Sequence, residues 1–506
     1  MTERRRFWLW AFAAAAAAFV LRLPSLNLLL DRDEGEYASL AWLWRTGAGL
    51  PYRDWLEQKP PMAIAMNALA QACFKDGVLG LRVLSMAWIL ATVLGLYLLL
   101  ERMARRGRFG SGLEARPLFR PLAAGLGALV AAFLLSTSRT QSLAANTETW
   151  QTLPLLAALA VLFVPRPQDL RWGHYLIAGC FVGLASLFKQ PVFAAVLVLP
   201  LAAQHRDGKL IPSVLWTLAG ALIPWIAVWE IFALQGAGLD FLQCTLAYNQ
   251  TYVLQGLPGA WRRALGLAGW LAPETWALLW LAVLGWRFLG REGASRRWLA
   301  AWLLVGLIAL AASGHFYPHY AVLVLPPLAA LAGLGLLGMF PGAPGSSGHR
   351  APRALRLALA IVALCGYVWA DGSLWFRPSA RERTLHVYGL TTFANAPEAA
   401  LKLQAMCPPS QNLFIWGDEA ELYYLSQRRP ASRFLFTYPF TGEAPVWPDG
   451  DHEMLMGLFD ENTGAAVLSK GLDENNPFQK SVGDGLREQY SPDQSVQGFI
   501  LGARKR

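Results

Sequence analysis

Apolar stretches of membrane-crossing length recur through this chain, and they exclude most folds before any motif is read. A bilayer core asks for about 20 apolar residues of helix, with a range of roughly 17–25. Such stretches lie near 7–24, 80–100, 121–137, 150–165, 174–188, 191–204, 212–234, 273–289, 298–313, 319–340 and 354–371. The expectation is an all-α polytopic membrane protein of about 11 transmembrane helices, with ten to twelve allowed by the shorter stretches. Only 15% of the 506 residues are charged, against about 25% in a soluble domain. The 22 tryptophans suit rings that anchor at membrane interfaces. A secretory leader is the other reading of the stretch near 7–24, but further spans follow and no small-residue cleavage site precedes a mature domain, so a retained first helix is expected.

The net charge of +10 is not a nucleic-acid signature, because the cations sit in short loops between apolar stretches. Arg4, Arg5 and Arg6 precede the first stretch, and Arg102, Arg105, Arg106, Arg108, Arg116 and Arg120 follow the second. Later loops on the same side carry Arg166 and Arg171, Arg206 and Lys209, Arg287, Arg291, Arg296 and Arg297, then Arg350, Arg353 and Arg356. The opposite loops after the third and fifth spans hold only Arg139 and Lys189, and the one after the ninth has no cation. The positive-inside rule puts the N-terminus in the cytoplasm, and the loop of about 25–79 outside. Residues 341–348, rich in Gly, Pro and Ser, read as a cytoplasmic linker. The five cysteines show no metal or disulfide spacing.

The composition changes after the last stretch. Residues 372–506 are polar, with scattered Pro, Asn, Asp and Gly. Helices are expected over 394–406 and 419–426, and strands over Asn412–Trp416, Phe434–Phe436 and Ala465–Leu468. The expected organisation is therefore a transmembrane catalytic domain, 1–371, and a small extracytoplasmic α/β domain, 372–506.

Four carboxylates follow the first apolar stretch within six residues: Asp31, Asp33, Glu34 and Glu36. They cannot sit in hydrocarbon, where a charge costs about 2.5–3.5 kcal/mol on insertion scales. Lys59 comes just over twenty residues later, before Pro60 and Pro61. The prolines bias Lys59 to an extended backbone and open the next helix. Segments 37–44 and 61–74 read as amphipathic helices lying along the membrane surface. An enzyme facing outward has no nucleotide to draw on and takes its activated group from a lipid-borne donor, such as a sugar linked to polyprenyl phosphate. A carboxylate then accepts the proton of the attacking hydroxyl, and a fixed cation steadies the departing phosphate. Asp33 suits the first role, with Glu34 beside it, and Lys59 the second.

The run Asp33-Glu34-Gly35-Glu36-Tyr37-Ala38, with Pro51-Tyr52-Arg53-Asp54 and Gln58-Lys59-Pro60-Pro61, resembles the first outer loop of GT-C glycosyltransferases. The nearest branch is the bacterial one related to protein O-mannosyltransferase and lipid A aminoarabinose transferase. Leu81-Arg82, Phe188-Lys189-Gln190-Pro191, His319-Tyr320, Ile415-Trp416-Gly417-Asp418 and Arg428-Arg429-Pro430 are similar to that branch as well. The resemblance implies inverting transfer from a polyprenyl-phosphate sugar, with Asp33 as base, to a lipid, glycan or protein acceptor. The aminoarabinose transferases often carry Glu directly before Lys-Pro-Pro; here Gln58 holds that place and Glu57 precedes it.

Lys189 and His319 are candidates for the donor phosphate, and Glu57, Gln58, Glu148 and Tyr320 for the acceptor or the cavity lining. Against these stand plainer readings: Lys59 and Lys189 as interface anchors, Glu148 as a helix cap, and His315, Tyr317, His319 and Tyr320 as part of an aromatic belt. Asp31 and Glu36 are expected to be solvated. No residue is assigned to a metal and no cofactor is required, although the acidic pair leaves room for a divalent ion. The expected partners are the polyprenyl-phosphate sugar, its acceptor and membrane lipids, with no nucleic acid. The rival classes are a flippase or transporter for lipid-linked glycan, which would place its charges within broken helices and show two related halves, and a surface-polysaccharide polymerase or ligase, which would carry its key residues in a large later loop.

Overall fold

A computed structural model describes residues 2–109, 112–203, 209–289, 293–340, 353–442 and 447–505. The linker expected at 341–348 lies outside them, as do Arg206, Arg291 and Arg350. The chain is 71% helical. In chain order the helices are α1 (Glu3–Arg22), α2 (Arg32–Arg45), α3 (Met62–Cys73), α4 (Gly77–Arg105), α5 (Arg120–Leu134), α6 (Thr147–Phe163), α7 (Trp172–Ser186), α8 (Ala195–Ala203), α9 (Leu210–Leu234) and α10 (Gly238–Leu242). There follow α11 (Asn249–Gly256), α12 (Ala260–Phe288), α13 (Gly293–Ala311), α14 (Leu325–Leu337), α15 (Arg353–Asp371), α16 (Ala380–Tyr388), α17 (Thr391–Met406), α18 (Glu421–Ser426), α19 (Gly450–Phe459) and α20 (Pro477–Gln489).

Each of the eleven apolar stretches carries a helix. Six helical segments among the described residues are long and apolar enough to cross a membrane: Glu3–Asn27, Gly77–Arg105, Leu210–Leu234, Ala260–Phe288, Pro318–Leu337 and Arg353–Phe376. The segments Arg120–Leu134 and Gln190–Ala203 are apolar but shorter.

The chain forms two compact units. The first comprises Met1–Leu26, Arg82–Val228 and Gly259–Phe376. Within it α14 packs along α12 and α5, α1 lies on α5, and α6 lies on α7. Small residues permit these approaches. A Cβ on Gly285 would fall on the Leu331 carbonyl, and one on Gly333 would fall on the backbone of Gly127. Without a strong hydrophobic drive between helices in lipid, such close contact supplies much of the association energy.

The second unit comprises Asn27–Leu81, Trp229–Pro258 and Arg377–Arg506. Residues 27–81 thus group with the C-terminal residues. Its sheet runs β1 (Asn412–Trp416), β2 (Thr463–Leu468), β4 (Phe499–Arg504), β3 (Tyr490–Val496). The β1–β2 pair is parallel, and β4 is antiparallel to both β2 and β3. The expected strands at 412–416 and 465–468 and the helices at 394–406 and 419–426 are present, with shifted ends. The expected strand at Phe434–Phe436 is not: the segment is irregular, and all three side chains are buried. Burial without alternation gave the segment an apolar look, but it joins no ladder.

Candidate functional site

The second unit gathers the acidic motif around Lys59. Asp31 caps α2: its Oδ1 accepts the Glu34 N–H at 2.8 Å, and Glu34 Oε2 accepts the Asp31 N–H at 3.1 Å. This reciprocal box satisfies two donors at the helix start and turns the α2 first residues toward Lys59. The Lys59 ammonium lies 3.3 Å from Asp33 Oδ2, 3.8 Å from Glu36 Oε2 and 5.0 Å from the centre of the Tyr37 ring. Glu57 Oε1 accepts the Lys59 N–H at 2.7 Å, and the Tyr52 hydroxyl donates to the Lys59 carbonyl at 2.9 Å. Asn249 donates to the Gln58 carbonyl. Lys59 is therefore held through its backbone on both sides and through its ammonium.

Asp31 and Glu36 were expected to be solvated, and both are buried; Glu36 is 2% exposed. The cover comes from distant sequence. α18 packs on α2, where a Cβ on Gly35 would lie 2.6 Å from the Glu421 Cβ. Ser39 clamps the same contact, donating to the Ala420 carbonyl at 2.7 Å and accepting the Tyr424 N–H at 3.1 Å. Arg32 pairs with Asp418 at 3.3 Å, and Lys470 reaches the same carboxylate at 3.2 Å.

Burial pushes the Glu36 carboxyl well above the usual range, and neighbouring Glu57 adds to this against the pull of Lys59. Burial raises Glu57 as well. Glu36 Oε1 and Glu57 Oε2 are buried with no hydrogen-bond partner among the described residues. Burial pulls the Lys59 ammonium down, but Asp33, Tyr37, Glu36 and Glu57 outweigh it, so Lys59 stays charged. Asp33 is partly open to solvent beside this ammonium. Among the described residues no group of three His, Cys, Asp or Glu is placed to hold a metal ion.

The first unit assembles a second set. Glu148, in the first turn of α6, pairs with Lys189 at 2.5 Å, and the Lys189 ammonium lies 3.2 Å above the Tyr320 ring. Tyr320 meets His319 edge to face at 4.8 Å, and His319 Nδ1 lies 3.0 Å from Gln141 Oε1. The expected residues Glu148, Lys189, His319 and Tyr320 thus meet in this set, and Asp33, Glu34, Glu57, Gln58 and Lys59 in the other. His315, Tyr317 and His319 form a ring stack, with centroids 5.7 and 5.9 Å apart.

The sequence reading passed over three features. Glu274 sits in α12 and pairs with Arg139 at 2.8 Å; an ionisable residue inside an apolar helix was the available signal. Glu421 is fully buried with neither carboxyl oxygen hydrogen-bonded. Nothing local marked Gln141, whose backbone sits at φ 51°.

No family model matches this sequence, and no curated protein matches it. Solved structures do. ArnT from Cupriavidus metallidurans bound to undecaprenyl phosphate aligns over 98% of this chain and 98% of its own, with a TM-score of 0.60 and 17% identity. The same protein in the apo state aligns over 98% and 97%, with a TM-score of 0.55 and 17% identity. An oligosaccharyltransferase from Archaeoglobus fulgidus aligns more loosely, with a TM-score of 0.47, 15% identity, and 91% and 67% coverage. The chain has the fold of the GT-C membrane glycosyltransferases, and it is a multi-pass membrane protein.

Proposed function

We propose that this chain, built on the GT-C fold, transfers a sugar from a polyprenyl-phosphate donor to a lipid, glycan or protein acceptor on the outer side of a bacterial inner membrane. The single observation that carries the reading is the Asp33–Lys59 pair, held among the buried carboxyls Glu36 and Glu57. The likeness to ArnT with undecaprenyl phosphate bound supports a lipid-phosphate donor. In the reaction the acceptor oxygen bonds to the anomeric carbon, the bond from that carbon to the phosphate oxygen breaks, and its electron pair leaves with the polyprenyl phosphate. The hydroxyl proton passes to Asp33. Lys59 pairs with Asp33 and offers a further N–H to the phosphate; Lys189 and His319 are the other phosphate candidates. Glu34 fixes the start of α2 and acts on Asp33 only through that helix. Glu57 and Gln58 hold the Lys59 backbone, and Glu148 and Tyr320 orient Lys189.

The eleven helical stretches are read as spans, with the N-terminus cytoplasmic and residues 372–506 outside. The test is to offer membranes containing the protein a panel of polyprenyl-phosphate sugars and to identify products by mass. Transfer of sugar from at least one donor is the expected result; release of no product from any of them, with the protein folded, contradicts the reading.

A further inference from the structure

The loop 135–146 is pinned more heavily than a connector needs. Arg22, fully buried at the end of α1, donates to the Leu135 and Ser142 carbonyls at 2.7 Å and to the Leu143 carbonyl at 3.3 Å. Asp371 accepts the Ser138 N–H at 3.1 Å. Glu274 accepts the Thr137 hydroxyl at 2.6 Å and pairs with Arg139. Three buried ionisable side chains from α1, α12 and α15 thus hold one short loop, and each would be costly to leave unpaired. What the loop presents is Gln141, held at φ 51°, a left-handed conformation uncommon for a residue with a side chain. Its side chain meets His319 Nδ1.

The rest of the His319 ring is equally constrained. It stacks on Tyr317 with an interplanar angle of 9° and meets Tyr320 at 84°. An amide oxygen can only accept, so the Gln141 contact requires a proton on Nδ1. The neutral ring then carries its lone pair on Nε2. A phosphate oxygen also only accepts, and it gains a hydrogen bond from Nε2 only when the ring has taken up a second proton.

We propose that Gln141 is a positioning residue that holds His319 as the Nδ1–H form, so that His319 engages the lipid phosphate of the donor only as an imidazolium and donor binding takes up a proton. The inference rests on the proposed reading of His319 as a phosphate contact. The charged and titratable groups facing this segment are of both signs, and Arg263 on α12 donates to the Gly314 carbonyl at 2.8 Å. Glu148 on α6 interacts electrostatically with His319, and Lys189 is already paired to that carboxylate. His315, Tyr317 and Tyr320 belong to its own segment. α13, which also packs here, carries only Arg296 and Arg297 near its opposite end, and α14 carries no charge.

The test uses purified full-length protein in detergent and undecaprenyl phosphate alone as the probe. Calorimetry in buffers of different ionisation heat reads proton uptake, and ¹⁵N spectra of labelled histidine, assigned with His319→Gln, read the tautomer. The wild type is expected to show the Nδ1–H form, to take up about one proton on binding above the ordinary imidazole range of about 6.5, and to bind more tightly as pH falls. Gln141→Asn tolerates the left-handed backbone but stops short of the ring, so it should weaken the tautomer preference and the pH dependence together. Gln141→Glu keeps the shape, favours the imidazolium, and should move the binding window to higher pH. A wild-type ring with its proton on Nε2, or a Gln141→Glu window that does not move, overturns the positioning role. Tight binding with no proton uptake overturns the imidazolium step. No binding of the probe at any pH, with the Nδ1–H form present, contradicts the lipid-phosphate reading itself and removes the imidazolium step with it.

Discussion

Each unit of this protein builds a carboxylate, a lysine and a tyrosine ring into one contact, and the two sets differ in what surrounds them. Lys59 stands among Asp33, Glu36 and Glu57, with the Tyr37 ring 5.0 Å away. Lys189 pairs with Glu148 and lies 3.2 Å from the Tyr320 ring, which meets His319 edge to face. The first set has an excess of carboxyl groups, and burial raises both Glu36 and Glu57. Its surplus oxygens suit proton transfer. The second balances one carboxylate against one ammonium and adds an imidazole, which becomes a second donor to an arriving anion only once it is protonated. The same three residue types thus serve different chemistry according to the count of charges around them.

The largest effect that separates the two sets should come from Asp33→Asn. The amide keeps the size of the side chain but accepts no proton. Turnover is expected to fall by about 10²–10⁴, with donor binding largely retained, in a quantified transfer assay. Glu148→Gln should fall less in turnover and more in donor affinity. Equal losses in both parameters for the two variants would erase the division of labour.

Lys59→Ala comes next. The change leaves Asp33 and the buried Glu36 without the cation they face, so the variant should lose thermal stability as well as turnover. Lys59→Arg should recover the stability and only part of the rate, because the charge survives but its geometry does not. Lys189→Ala should cost less in both. A Lys189 variant that is the weaker of the two in turnover would reverse the assignment.

The smallest effect concerns Glu421, which lies beneath the Asp33 helix. Burial raises its carboxyl well above the usual range, and the Glu419 charge adds to this. The folded protein therefore holds a proton that the unfolded chain loses near pH 4.3. That contribution is complete below this value and is lost as pH rises toward the folded value. Glu421→Gln removes the term. The variant should be more stable than wild type at pH 8 and approach it near pH 4, with a slope of at most about 1.4 kcal/mol per pH unit, in melts followed by intrinsic fluorescence. A difference independent of pH would mean that the carboxyl does not gain its proton on folding.

Much of the site was legible because charge is conspicuous in an apolar chain. Asp33, Glu57 and Lys59 were found that way, and so were Glu148 and Lys189. The strands at 412–416 and 465–468 were legible as short apolar runs between turn residues. What failed was burial supplied from far along the chain. Asp31 and Glu36 look like a solvated helix start until α18, nearly four hundred residues later, covers them. Phe434–Phe436 looked like a strand because its side chains are apolar, yet pairing depends on a partner edge that the segment does not have. Tyr248 sits on a π-helical turn, Gln243–Tyr248, and no local pattern announces that geometry. The sheet order and the grouping of 27–81 with the C-terminal residues are long-range outcomes of the same kind.

The central claim is a single displacement assisted by one carboxylate, and the anomeric configuration of the product tests it most directly. A donor of known configuration is supplied, the product is isolated, and the coupling constant of its anomeric proton is read by NMR. Asp33 acting as base on the acceptor hydroxyl predicts inversion, since no sugar is ever bonded to the enzyme. A product of retained configuration would exclude a single back-face displacement, and that result would contradict the account.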